Sequence, residues 1–138
     1  MESAREARLH LRSDVACLGE GRRFVARTLR DWDVDAARIE SVTLVANELV
    51  ANAIVHAHSA PMLSLSESGD DLVLHVADNS CVAPVLQTPG RDEFSGRGLR
   101  LVDALADRWG VDIGESGKSV WVAFAGAFDA ARKTSKAP

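Results

Sequence analysis

The chain has 138 residues and a formal net charge of −4. A chain of this length can bury its own core as one domain without disulfide or metal support. The acidic balance and the scattered Lys and Arg disfavour a nucleic-acid binder, which needs clustered basic residues. No apolar run is long enough for a signal peptide or a membrane span, so we expect a cytoplasmic protein with no membrane partner.

The first half of the chain predicts one short strand and two helices. Residues 1–8 are charged and unpatterned, and alternation at 9–11 indicates an edge strand. Asp14 is suited to cap a helix over 15–32, and Asp35 to cap a second helix that runs to His58. Most arginines of the first helix lie on one side, which is either a solvated face or a contact for an acidic partner.

The second half predicts four strands, one helix and a long loop. Gly69 and the aspartates beside it indicate the turn of an antiparallel hairpin. Helices on one face of a mostly antiparallel sheet then give an α+β, two-layer sandwich with a core over about 9–125. The predicted elements are strands 62–68 and 72–77, an aperiodic segment 78–98, a helix 99–109, strands 110–113 and 119–124, and a loose tail 126–138.

The second helix carries polar residues inside an apolar run. Glu48 and Asn52 are four residues apart and therefore project from the same face, on the rim of the apolar stripe. Burying such groups without hydrogen bonds costs about 1–3 kcal/mol each. They are either a water-bridged structural pair or part of a ligand site, whereas Asn47 is interpreted as structural.

Two apparent motifs fail on inspection. Gly114–Ser119 resembles the end of a phosphate-binding P-loop, but Asp112 stands where a glycine is required and a strand-like run follows. His56 and His58 are two residues apart and point to different faces of a helix, which makes a poor metal site.

Four features occur in an order that fits a nucleotide site. They are Glu48 with Asn52, then Asp78 at the end of a strand, then the glycine pair of 96–99 before a helix, then 117–119. They supply an acceptor for an exocyclic amine, an oxygen ligand for Mg²⁺, and free backbone N–H groups for phosphate.

These motifs resemble the GHKL ATPase superfamily, whose domain has the Bergerat ATP-binding fold. E-L-V-A-N-A-I-V-H-A at 48–57, G-R-G-L-R-L-V at 96–102 and G-K-S-V-W at 117–121 are most similar to its anti-sigma-factor and serine-protein-kinase branch. The similarity runs from about 17 to 124. The usual D-x-G-x-G box departs from the family pattern, because neither glycine follows Asp78.

The resemblance implies a role for each matching residue. Asn52 would ligate the Mg²⁺ that bridges the ATP phosphates, and Glu48 would be the general base. Asp78 would accept a hydrogen bond from the adenine amine, supported by the hydroxyl of Ser119. The residues implied to close over the phosphates are Gly96, Arg97, Gly98 and Leu99.

The resemblance also implies partners. The leading hypothesis is an anti-sigma factor that inhibits a sigma factor and phosphorylates an antagonist protein on serine or threonine; homodimers are common in this branch. The alternatives are a non-catalytic module that sequesters a partner, favoured by the missing glycines, and a detached ATPase domain of a histidine kinase. No phosphoacceptor helix pair precedes the domain, which disfavours the last.

Overall fold

A computed structural model describes residues 4–55, 58–79, 100–115 and 117–128. It has five antiparallel strands in the order β1-β2-β3-β5-β4, with the helices on one face. This confirms the predicted α+β, two-layer class. The elements are β1 (Glu6–His10), a 3₁₀ turn (Val15–Cys17), α1 (Leu18–Asp31), α2 (Ala36–Val55), β2 (Met62–Ser68), β3 (Asp71–Asp78), the described part of α3 (100–105), β4 (Arg108–Gly114) and β5 (Gly117–Phe124).

Both predicted caps are confirmed at the starts of the helical segments. Asp14 accepts a hydrogen bond from the Ala16 amide at 2.9 Å, and Asp35 accepts one from the Arg38 amide at 2.9 Å. Side-chain caps of this kind satisfy donors that the first helical turn leaves unpaired. The described part of α2 ends at Val55, and His58, with a φ of 50°, lies beyond the helix.

The sheet turns one set of alternating side chains toward the helices. In β3 the residues Leu72, Leu74 and Val76 are buried, and in β5 Val120 and Val122 are buried opposite them. Side chains alternate along a strand, so the residues between them lie on the other face. Val45 and Leu49 of α2 complete this core from the helical layer.

The structure corrects two predicted boundaries. β1 begins at Glu6, within the stretch interpreted as unpatterned, because its backbone pairs with β2 up to Ser66. The helix predicted to reach Trp109 is helical only over 100–105 among the described residues, and Trp109 lies in β4 paired with Val122. Apolar spacing alone could not distinguish a longer helix from a strand at this position, because Trp109 packs against the core from the strand as well.

The core also extends beyond residue 125. Phe128 is 1% exposed, its ring centroid lies 6.2 Å from that of Trp32, and the Arg5 guanidinium lies 5.1 Å from its centroid. Arg5 is held in turn by Glu67, at 3.0 Å. Residues 127–128 are therefore part of the packed domain and not of a loose tail.

None of the helices in the described part of the chain combines the length and hydropathy that crossing a membrane requires.

Candidate functional site

Asp78 ends β3 on the face of the sheet that the helices cover. Its side chain is 4% exposed, and it continues the row of Leu74 and Val76. The partner residue in β5 is Lys118, whose Nζ lies 3.1 Å from Oδ2 and donates to Oδ1 at 3.3 Å. The Lys118 side chain is only 11% exposed, so the pair is largely withdrawn from water. A buried charge is tolerated when such a partner accompanies it.

Gly117 allows the two strands to approach closely at this pair. Its φ is 151°, and a Cβ built on it would lie 2.0 Å from the carbonyl oxygen of Asp78. No side chain fits at that distance. The glycine that begins the G-K-S-V-W motif therefore positions the backbone of Lys118 against Asp78.

Ser59 connects this end of the sheet to the second helix. Its amide donates to the carbonyl of Ala53 at 3.2 Å, and its hydroxyl accepts from the Asn79 amide at 2.9 Å. Ser59 is 2% exposed. The chain that leaves α2 is thus tied to the residue that follows Asp78, which fixes the position of Asn52's helix relative to Asp78.

Glu48 and Asn52 lie one turn apart on α2, and both are half-buried. Within the described residues, the Oδ1 atom of Asn52 is fully buried and has no hydrogen-bond partner. Native proteins rarely leave a buried acceptor unsatisfied, and each exception asks for an explanation such as a ligand or ion. An amide oxygen is a suitable ligand for Mg²⁺, so this atom fits the predicted metal-ligand role.

Asn47 behaves as the sequence predicted. Its Oδ1 accepts a hydrogen bond from Arg22 of α1 at 2.9 Å. This contact joins the two helices on the opposite edge of α2 from Asn52. Asn47 is therefore structural.

Ser119 lies on the other face of the sheet from the Asp78 carboxylate. It pairs with Ala77, and strand alternation points its side chain away from the helices. A cavity of about 440 Å³ at this end of the sheet nevertheless has Ser119, Asp78 and Lys118 in its lining. Lys118 contacts the carboxylate directly, and support from Ser119 stays a prediction.

The predicted phosphate-closing residues Gly96, Arg97, Gly98 and Leu99 lie outside the described residues, as does His56. Among the described residues no three His, Cys, Asp or Glu side chains come together as a metal cluster. A Mg²⁺ held by one amide oxygen and substrate phosphates does not need such a cluster.

Sequence reasoning missed Ser59 and the contact made by Lys118. A serine just after a helix and two residues before a proline is a signal for a polar cap, but its bond to Asn79 depends on the fold. The pairing of Lys118 with Asp78 joins residues 40 positions apart and follows from strand register. Register between non-consecutive strands is not visible in local sequence.

The sheet order, the covering helices and the polar end of β3 beside α2 define a two-layer α+β domain of the ATPase type. The model of the histidine kinase-like ATPase domain family matches residues 11–124, and the chain belongs to that family, within the GHKL superfamily. No curated protein matches the sequence significantly.

Solved structures share this fold at low identity. The structure of the RsbU and RsbW domains of Rv1364c from Mycobacterium tuberculosis aligns with a TM-score of 0.69 at 15% identity, over 88% of this chain and 32% of that one. The blue-light activated histidine kinase EL346 of Erythrobacter litoralis aligns with a TM-score of 0.57 at 20% identity, over 84% and 42%. Its histidine kinase domain gives 0.51 at 21%, over 83% and 61%. The chain thus spans a third to less than two thirds of these proteins.

Proposed function

We propose that the chain binds ATP and acts as an anti-sigma factor that phosphorylates a serine or threonine of an antagonist protein. The observation that carries this proposal is the Oδ1 of Asn52, which is buried and has no hydrogen-bond partner among the described residues, one turn from Glu48 on the same helix. The motifs shared with the anti-sigma-factor and serine-protein-kinase branch supply the choice of protein substrate.

In this proposal each residue acts through its own chemistry. Asp78 accepts a hydrogen bond from the base, and the Asn52 oxygen holds Mg²⁺, which neutralises charge on the phosphates when bound. The Glu48 carboxylate takes the proton of the substrate hydroxyl as that oxygen bonds to the γ-phosphorus and the bond to the β-phosphate oxygen breaks. Half-burial keeps the carboxylate near the reacting groups while leaving it open to a hydroxyl.

The test is transfer of label from γ-labelled ATP to candidate antagonist proteins in the presence of Mg²⁺. We expect Glu48→Ala to reduce the transfer rate by about 10²–10⁴-fold, the usual contribution of a general base. Glu40→Ala is the matched control, since Glu40 is an exposed glutamate two turns earlier on the same helix. If Glu48→Ala transfers label as fast as the wild type, Glu48 is not the general base. If the protein does not bind ATP, the proposal is wrong.

A second candidate function is sequestration of a partner without catalysis. A groove of about 390 Å³ between the first two helices is lined by Arg22, Arg23, Arg27, Arg30 and Thr43 among others. No described carboxylate lies within ion-pair distance of these arginines, and Thr43 Oγ1 is buried without a partner among the described residues. On a chain of net charge −4 this groove fits an acidic segment of a partner protein.

Charge reversal in the groove tests this second function. The double variant Arg23→Glu with Arg27→Glu is expected to weaken binding of the sequestered sigma factor by about tenfold or more, with a smaller effect at high salt. Arg8→Glu is the control, because Arg8 is 61% exposed on the edge strand β1. Equal loss of binding in both proteins would show that net charge, and not the groove, attracts the partner.

A further inference from the structure

The groove between α1 and α2 concentrates positive charge on an acidic protein. Its volume is about 390 Å³. Pockets for small molecules begin at about 300 Å³, so this space suits a compact ligand. Because four guanidinium groups line one groove on a chain of net charge −4, the ligand they select is an anion. The lining residues are Arg22, Arg23, Ala26, Arg27, Arg30 and Thr43.

The arginines of the groove repel one another along the helix. Arg23, Arg27 and Arg30 are spaced four and three residues apart, which places them on one face of α1. Like charges at this spacing destabilise a helix. Glu20 precedes Arg23 by three residues, yet among the described residues no carboxylate forms an ion pair with these arginines. An anion in the groove would offset this repulsion.

Gly19 brings two of the guanidinium groups together. A Cβ built on Gly19 would lie 3.2 Å from Nη1 of Arg23 and 3.5 Å from Nη2 of Arg22, so both groups lie beside the same glycine. Arg22 also donates to Oδ1 of Asn47 at 2.9 Å, which holds its charge at this end of the groove. Two like charges held this close are stabilised by an anion that contacts both.

A buried hydrogen-bond donor also lines the groove. The hydroxyl oxygen of Thr43 is fully buried and has no hydrogen-bond partner within the described residues. Burying a hydroxyl without a hydrogen bond is unfavourable, and such an exception asks for an occupant. The hydroxyl can donate to one phosphate oxygen while the planar guanidinium groups donate to others.

We propose that this groove binds an oligophosphate anion, either inorganic or attached to a nucleoside, at a site separate from the proposed nucleotide site. Arg22 and Arg30 are eight residues apart, about 12 Å along the axis of α1, which a single phosphate group does not span. Thr43 and Asn52 are nine residues apart and therefore lie on opposite sides of α2. An acidic partner segment needs the same guanidinium groups, so the two occupants exclude each other.

The test is calorimetric titration of the full chain with sodium triphosphate in the absence of Mg²⁺. We expect saturable binding about tenfold tighter than that of orthophosphate, which reaches only part of the groove. Thr43→Val keeps the shape and the net charge but removes the hydroxyl, and it should weaken triphosphate binding by about tenfold or more. Thr43→Ser keeps the hydroxyl and should retain the wild-type affinity.

A second pair of variants tests the charges at exposed positions, where folding is not at risk. Arg27→Gln should weaken triphosphate binding by about tenfold, because it removes a charged donor from the groove. Arg8→Gln is the matched control, since Arg8 is 61% exposed on β1, and it should change the affinity by less than about twofold. Equal losses in the two variants would attribute the binding to net charge and contradict the site.

The remaining outcomes separate this site from the nucleotide site and from an acidic partner. Asn52→Ala should retain the triphosphate affinity; if it does not, the anion binds at the nucleotide site, and the inference is wrong while the proposed function stands. Absence of binding below about 10 mM triphosphate overturns the inference, as does binding of hexaglutamate without binding of triphosphate. An unchanged affinity in Thr43→Val overturns it as well. In the Asn52→Ala protein, ATP that binds more tightly than triphosphate identifies a nucleotide as the source of the phosphates, and equal affinity identifies an inorganic chain; both results support the site.

Discussion

At the scale of single residues, Gly117 sets the distance between the strands that carry the polar end of the sheet. Its positive φ and its contact with the Asp78 carbonyl leave no room for a side chain. Gly69 has a positive φ of 61° as well, but nothing lies within 4 Å of the position that a Cβ would occupy there. A side chain at Gly69 would suffer only from the backbone conformation, whereas one at Gly117 would also clash with neighbouring atoms.

We expect Gly117→Ala to lower the free energy of unfolding by about 2–4 kcal/mol, because overpacking adds to backbone strain. Gly69→Ala, the control, should cost about 1 kcal/mol from its backbone alone. Urea denaturation followed by circular dichroism measures both. Similar losses in the two variants would show that the strands separate to accept the methyl group.

The residue scale is also where sequence prediction reaches its limit. Glu48 and Asn52 could be selected because both their helix and their spacing are local properties. The Lys118 contact could not, since it requires knowing that β3 and β5 are neighbours. The sequence indicated which polar residues belong to the candidate site, but it did not indicate which residues they contact.

At the scale of elements, short-range patterns predicted most of the strands and helices. The β2–β3 hairpin and α1 follow from alternation, turn residues and apolar spacing. These patterns did not predict the start of β1 or the end of α3. Pairing with β2 determines where β1 begins, and pairing of β4 with β5 determines where the helical segment must have ended. Tertiary pairing overrode an apolar spacing that suited both a helix and a strand.

The segment after β5 illustrates the same point and yields a prediction. Phe128 is fully buried against Trp32, so Phe128→Ala should destabilise the protein by about 3–5 kcal/mol. Val15→Ala serves as the control, because Val15 is 55% exposed. Thermal and urea unfolding measure the difference, and a cost below about 1 kcal/mol would mean that this end of the chain does not contribute to the core.

At the scale of the whole molecule, the buried Asn52 oxygen, which has no partner in the part of the chain that the structure describes, links stability to ligand binding. A ligand that binds only the folded state stabilises it by about 2.7 kcal/mol at a concentration of 100 Kd. A site residue is therefore expected to matter more for the stability of the liganded protein than for that of the protein alone.

We expect Asn52→Ala to keep the stability of the nucleotide-free protein within about 1 kcal/mol, since no hydrogen bond of Oδ1 to the described residues is lost. The same variant should lose the rise in melting temperature that ATP and Mg²⁺ give the wild type. Asn47→Ala is the matched control on the same helix and should retain that rise. A nucleotide-free Asn52→Ala protein destabilised by more than about 2 kcal/mol would assign Asn52 a structural role instead.

Arg5 joins the beginning of the fold to its end. It pairs with Glu67 of β2, and its guanidinium lies over the rings of Trp32 and Phe128. During synthesis, Arg5 emerges first and Phe128 emerges only after every strand of the sheet. A nascent chain can form the β2–β3 hairpin and the helices before residue 128 has been synthesised, but it closes this cluster only afterwards, so the cluster forms after the other elements of the domain.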